Sequence, residues 1–187
     1  MRAKTRVSLA EFLALPETEP PSELWDGEVI QKAAPSFNHG TLSSYVIQQL
    51  RSYLERTREG RVVNEVRHVQ RTEESVYLPD VNVVLRDHVP SSPEERRRGP
   101  VELVPDLAIE ILSPSESAGR ILQRADFYMR VRVPLTWFID PDTHTVTVYR
   151  PGTQPRVHQP PDFIDAQPVL RDFTLDLAAL FNEVEDD

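Results

Sequence analysis

"PDLAIEILSPS", residues 105–115, reads as a buried strand opened by a proline and closed by a serine-proline turn. Inside it Glu110 stands between Ile109 and Ile111. A carboxylate in an apolar run is strongly destabilising unless a partner, a proton or a metal ion compensates it. Strand alternation puts Asp106, Ala108, Glu110 and Leu112 on one face and Leu107, Ile109 and Ile111 on the other. Glu110 therefore either pairs with one of the chain's many arginines, faces solvent at a sheet edge, or joins other acids in a site.

Working outward, "VYLPDVNVVL" upstream repeats the Pro-Asp opening at Pro79-Asp80, and "RVVNEVRHVQR" before it is a further strand. Short links or a single loop, residues 87–104, join these three strands, which predicts an antiparallel meander. "HGTLSSYVIQQLRSYLERTR", from His39 to Arg58, sets Leu42, Val46, Leu50 and Leu54 four apart, the spacing of an amphipathic helix that Gly60 ends. "ESAGRILQRADFYMRV" is a second helix, and "LTWFID" and "TVTVYR" make a hairpin about "PDTH". Near the start, "SLAEFLAL" is a short helix capped by Ser8 with Glu11, and "ELWDGEVIQKAAP" a hairpin about Asp26-Gly27. After Arg150 the chain reads as proline-rich and irregular to residue 170, closing in a short helix, "FTLDLAALFNEV".

The expected fold is α/β (α+β): helix, three-stranded meander, helix and strand, with helices packed on a mixed sheet. At 187 residues the chain suits one domain. Within it, 1–36 form an N-terminal extension, 37–150 the core, and 151–187 an irregular C-terminal segment with a short helix.

Antiparallel pairing of the second and third strands brings the start of one beside the end of the other, and so Asp80 beside Glu110. Two carboxylates at one sheet end repel, and a hard cation relieves the repulsion. Mg²⁺ is commonly held by one or two carboxylates while keeping several waters.

Taken together, "ELWDGEVIQKAAPSFNHG", "PDVNVV", "PDLAIEILSPS" and "RADFYMRVRVPLTWFIDP" resemble, in order and spacing, the Uma-type restriction-endonuclease domains of the PD-(D/E)XK nuclease superfamily. The resemblance runs from about Glu23 to Arg150. It implies the core order given above, Asp80 and Glu110 as the acidic, metal-binding pair, and the carbonyl of Ile111 as a third ligand. It also implies a histidine where His39 stands and acidic residues near Glu23 and Glu28. His39 has a plainer reading as a residue that caps or packs a helix start. Glu65, on the first core strand, is a further candidate for the same sheet end or a partner of Arg67.

The superfamily's lysine is missing. Its usual place, two residues beyond the glutamate, holds Leu112, and the Uma-type place on the next helix, four residues before Tyr128, holds Arg124. An arginine can clamp a phosphate but does not deprotonate. Arg124 also reads as an ordinary arginine bridging to Asp126 or Glu110. Gln123 points about 100° away around the helix. The family's glycine before Val-Pro is Arg132, which predicts an irregular turn there.

Composition sets the outer bounds. There is no cysteine, hence no disulfide or thiolate metal site, and a cytoplasmic protein is the simplest expectation. No run approaches a spanning helix, the start lacks a signal-peptide pattern, and no membrane association is expected. The net charge of −9 argues against non-specific coating of nucleic acid, although "ERRRG" at 95–99 is locally basic. Arg96, Arg97 and Arg98 are the candidate DNA-backbone contacts.

Two functions follow. One is an Mg²⁺- or Mn²⁺-dependent endonuclease cutting DNA phosphodiesters through Asp80, Glu110, Arg124 and His39, as a homodimer if both strands are cut. The other is a nuclease-fold protein impaired in catalysis that binds nucleic acid or a protein. The intact acidic pair favours the first and the absent lysine the second. A structural oligomer using the "WFID…TVTVYR" hairpin explains neither carboxylate.

Overall fold

The computed structural model describes residues 6–185. In chain order they form α1 (Leu9–Leu13), β1 (Ser22–Trp25), β2 (Glu28–Gln31), α2 (Phe37–Thr57), β3 (Gly60–Asn64) and β4 (His68–Gln70). Next come β5 (Ser75–Tyr77), β6 (Val81–Leu85), α3 (Pro93–Arg97), β7 (Leu107–Ile111) and α4 (Ala118–Arg130). The chain closes with β8 (Leu135–Asp140), β9 (Thr145–Tyr149), β10 (Arg156–His158), β11 (Phe163–Ala166), β12 (Leu170–Asp176) and α5 (Leu177–Asn182).

These elements fall into two compact units. The first gathers the described residues up to Ala34 with Val66–Leu78 and Pro90–Val104, and the second gathers Pro35–Glu65, Pro79–Val89 and the chain from Pro105 onward.

The second unit holds the expected core. Its six-stranded sheet runs β10-β9-β8-β7-β6-β3, so β3, β6 and β7 are the meander, and α4 crosses over to bring β8 parallel to β7. This is the mixed sheet of the α+β fold that the sequence predicts. Leu42, Val46, Leu50 and Leu54 all face inward from α2, meeting Val81, Val83, Leu107, Ile109 and Ile111. Ser36 caps α2 by accepting the His39 N–H at 3.2 Å, and Arg58, at φ 61, ends it. Gly60 opens β3 where a Cβ would lie 2.5 Å from the Val84 carbonyl oxygen, so only glycine lets the strand start so soon after the helix.

The first unit is a four-stranded sheet, β2-β1-β5-β4, whose buried Leu24, Val69 and Val76 meet Leu9 and Phe12 of α1. The β1–β2 hairpin turns at Asp26-Gly27, both at positive φ, as expected of that dipeptide. Ser8 and Glu11 close the expected capping box.

Five readings are corrected. "RVVNEVRHVQR" is two strands, β3 and β4, split where Glu65 takes φ 52. "VYLPDVNVVL" is likewise β5 and β6, split at Pro79, which has no N–H for a ladder. Residues 87–104 carry the short helix α3, started by Ser92 accepting the N–H groups of Glu94 and Glu95. The C-terminal segment is more regular than expected: β10 pairs with β9, and β11 with β12, burying Ile164, Ala166 and Leu170. The closing helix is shorter, because residues 173–176 complete β12 and Asp176 then caps α5.

The turn after α4 is also regular rather than irregular. Arg132 adopts φ 62, its N–H reaches the Met129 carbonyl at 3.2 Å, and the Val133 N–H reaches the Tyr128 carbonyl at 2.9 Å. That is a Schellman motif, whose left-handed position favours glycine. Arginine occupies it here.

Candidate acidic active site

The site is built at one end of β6 and β7. Their register sets Val81 opposite Ile109, Asn82 opposite Ala108 and Val83 opposite Leu107. One further step sets Asp80 opposite Glu110. The antiparallel pairing on which the sequence argument depended is therefore present, and it places the two acids at adjacent positions of neighbouring strands.

Asp80 extends the ladder with its side chain. Its Oδ2 accepts the backbone N–H of Ile111 at 2.8 Å and lies 3.1 Å from His39 Nε2. Both partners meet the same oxygen, which fixes the orientation of the carboxylate. The N–H and C=O of one strand residue point to the same strand edge, so the Ile111 carbonyl faces the Asp80 side. His39 comes from the first turn of α2, positioned by the Ser36 cap. Of its two expected readings, helix packing and site residue, the geometry realises a contact with Asp80.

Glu110 is 1% exposed and points to the opposite face from Ile109 and Ile111, as alternation requires. The Tyr128 hydroxyl donates to its Oε1. Arg124 Nη1 lies 3.6 Å from its Oε2 and 3.0 Å from Glu116 Oε1. Residues 124 and 128 share one face of α4, a helix turn apart. Arg124 is 8% exposed, and its partners include Glu110 and Glu116; Asp126 meets Arg130 at 3.6 Å. Gln123 is exposed, on another side of α4, as expected.

The remaining candidates are dispersed. Glu65 directly follows Asn64, which pairs with Val81, but its positive φ turns the chain outward and the residue is exposed. Glu28 lies in β2 and Arg96, Arg97 and Arg98 lie in and after α3, all in the first unit. Arg96 donates to the Pro90 and Ser91 carbonyls at 2.6 and 2.9 Å, and Arg98 pairs with Glu94. Glu23, also in the first unit, is fully buried and accepts the Leu78 N–H at 2.6 Å and the Trp25 indole at 3.1 Å. Lys32 donates to the Leu78 carbonyl at 2.6 Å. Lys4 lies outside the described residues.

Tyr128 and Glu116 are the partners that sequence reasoning did not assign. The four-residue spacing from Arg124 was a signal for Tyr128. Glu116 carried none, since its approach depends on the fold of the β7–α4 turn.

Among the described residues no group of three or more His, Cys, Asp and Glu side chains is placed to hold a metal ion. The candidate donor set, the Asp80 and Glu110 carboxylates with the Ile111 carbonyl, is all oxygen. That chemistry fits a hard divalent cation completed by water and substrate oxygens. Among the described residues no helix is long and apolar enough to cross a membrane.

Comparison with known proteins gives a family and a fold. The pattern of the Uma2 family, described as "Putative restriction endonuclease", matches residues 9–178. The crystal structure of a putative nuclease belonging to DUF820 from Anabaena variabilis is similar, with TM-score 0.84 and 30% sequence identity. The match covers 95% of this chain and 98% of that one. No curated protein matches the chain. The chain therefore belongs to the Uma2 family, and it shares the fold of that nuclease.

Proposed function

We propose that the protein is a divalent-metal-dependent endonuclease that hydrolyses DNA phosphodiester bonds at the Asp80–Glu110 site. The observation that carries this reading is the β6–β7 register, which, continued one step, sets residue 80 opposite residue 110 at the end of the sheet. Asp80, Glu110 and the Ile111 carbonyl would hold the cation, Mg²⁺ or Mn²⁺. When bound, it supplies charge stabilisation at the phosphoryl oxygens and acidifies water.

The protein's own groups prepare that site. The Ile111 N–H and His39 orient Asp80, and the Tyr128 hydroxyl orients Glu110. Arg124 offsets the repulsion between buried carboxylates and keeps its charge at any working pH. Arg96, Arg97 and Arg98 are proposed as contacts to the DNA backbone. Cutting both strands at one place needs two such sites, so a homodimer is the form proposed. Absence of cysteine accords with the cytoplasm.

A second reading has its own observation. Arg124 is buried between Glu110 and Glu116, where a lysine would be a point charge able to exchange a proton. On this reading the protein binds nucleic acid or a protein partner without turnover. Incubating supercoiled plasmid and Mg²⁺ or Mn²⁺ with wild type and with Arg124→Lys separates the two. Cutting by wild type supports the endonuclease. Cutting by Arg124→Lys alone supports the impaired form, and cutting by neither leaves a binding role.

A further inference from the structure

We propose that Glu116 is a positioning residue of the acidic site: it draws the Arg124 guanidinium away from Glu110 and so keeps Glu110 able to take a divalent cation. The inference rests on the nuclease reading of that site.

One nitrogen of Arg124, Nη1, is shared between two carboxylates, and it stands nearer to Glu116 at 3.0 Å than to Glu110 at 3.6 Å. All three side chains are shielded, with exposures of 9% for Arg124, 1% for Glu110 and 14% for Glu116. In such surroundings a charge pair weakens less by screening, and small differences in separation matter. Glu116 is held in place by its backbone. Its N–H donates to the Ser113 carbonyl at 2.9 Å, and the next residue, Ser117, caps α4 through the Arg120 N–H at 3.3 Å.

Removing the Glu116 charge leaves the buried guanidinium beside Glu110 without the nearer of these two carboxylates. A guanidinium binds a carboxylate best through two parallel N–H groups, which would occupy both Glu110 oxygens. Charge counting points the same way. Leaving histidine aside, Asp80, Glu110 and Glu116 against Arg124 leave two formal negative charges, the complement of a divalent cation. Without Glu116 only one remains.

The test is calorimetric titration of the full chain with Mn²⁺ in four forms: wild type, Glu116→Gln, Arg124→Met and the double variant. Glu116→Gln is expected to weaken Mn²⁺ binding about tenfold or more. In the Arg124→Met background the same substitution is expected to change affinity by less than about threefold, because no guanidinium remains to be released. An equal loss in both backgrounds would make Glu116 a direct ligand or a distant charge, and no loss in the wild-type background would remove its role altogether. Glu116→Asp, which keeps the charge, is the second variant, expected within about threefold of wild type. A fall as large as that of Glu116→Gln overturns the charge argument. Asp80→Asn separates the two levels of the reading. If wild type binds no Mn²⁺ that Asp80→Asn abolishes, the metal site itself fails and this inference falls with it.

Discussion

Asp80 accepts the backbone N–H of Ile111 at 2.8 Å, so a side chain carries the β6–β7 ladder one step past its last backbone pair. The same carboxylate is thus both a structural acceptor and a member of the acidic pair. These roles separate by substitution. Asp80→Asn keeps a carbonyl for the Ile111 N–H and loses the charge beside His39, whereas Asp80→Ala loses both. Asp80→Ala is expected to be less stable than Asp80→Asn by about 1–3 kcal/mol in metal-free buffer, the cost of a stranded donor. Urea unfolding of the two variants measures the difference, and equal midpoints would show that the Ile111 N–H does not depend on Asp80.

Tyr128 holds Glu110 from the other side of the strand. Tyr128→Phe removes only the hydroxyl and leaves the ring packed near Phe127 and Phe138. A hydrogen bond to a buried charged acceptor contributes about 1.5–3 kcal/mol. Loss of that order is expected in denaturant unfolding at neutral pH. A change below about 0.5 kcal/mol would show that Glu110 does not rely on the tyrosine.

Arg132 carries a left-handed backbone at the end of α4, with φ 62. For a residue with a Cβ this conformation costs about 1–2 kcal/mol, which glycine partly avoids at the expense of unfolded-state entropy. Arg132→Gly is therefore expected to raise stability by about 0.5–1 kcal/mol, seen as a higher melting temperature with cleavage or binding unchanged. A lower melting temperature would mean that the arginine side chain supports the turn.

The arginines of α3 test the proposed DNA contact. Replacing Arg96, Arg97 and Arg98 with alanine is expected to weaken binding to any duplex alike and to reduce the slope of log Kobs against log salt by about 1–3. An unchanged slope would place the phosphate contacts elsewhere.

What the sequence made legible was whatever a local period or a paired motif encodes. The four-residue spacing of Leu42, Val46, Leu50 and Leu54 reveals α2, and alternation around Glu110 gives its face correctly. Pro-Asp at the start of one strand and Glu110 near the end of the next were enough to predict the antiparallel pairing that β6 and β7 adopt. Two strand runs concealed breaks, because the turn at Glu65 depends on one backbone angle that glutamate seldom adopts. Glu116 was hidden for a different reason. A six-residue turn, 112–117, decides which charged groups approach Arg124, and no periodicity describes such a turn. The role of Arg132 was misread because a replaced glycine suggested an irregular turn, whereas the hydrogen bonds of the Schellman motif tolerate the arginine.

The central claim is that Asp80 and Glu110 form the centre of phosphodiester hydrolysis. Its most direct test is the rate of supercoiled plasmid cleavage by wild type, Asp80→Asn and Glu110→Gln, with Mg²⁺ or Mn²⁺ and with excess chelator. The account predicts nicking or linearisation by wild type that chelator stops, and a fall of at least about a hundredfold in either variant while both remain folded. Cleavage that persists in Asp80→Asn, or a folded wild type that cuts with neither metal, would contradict it.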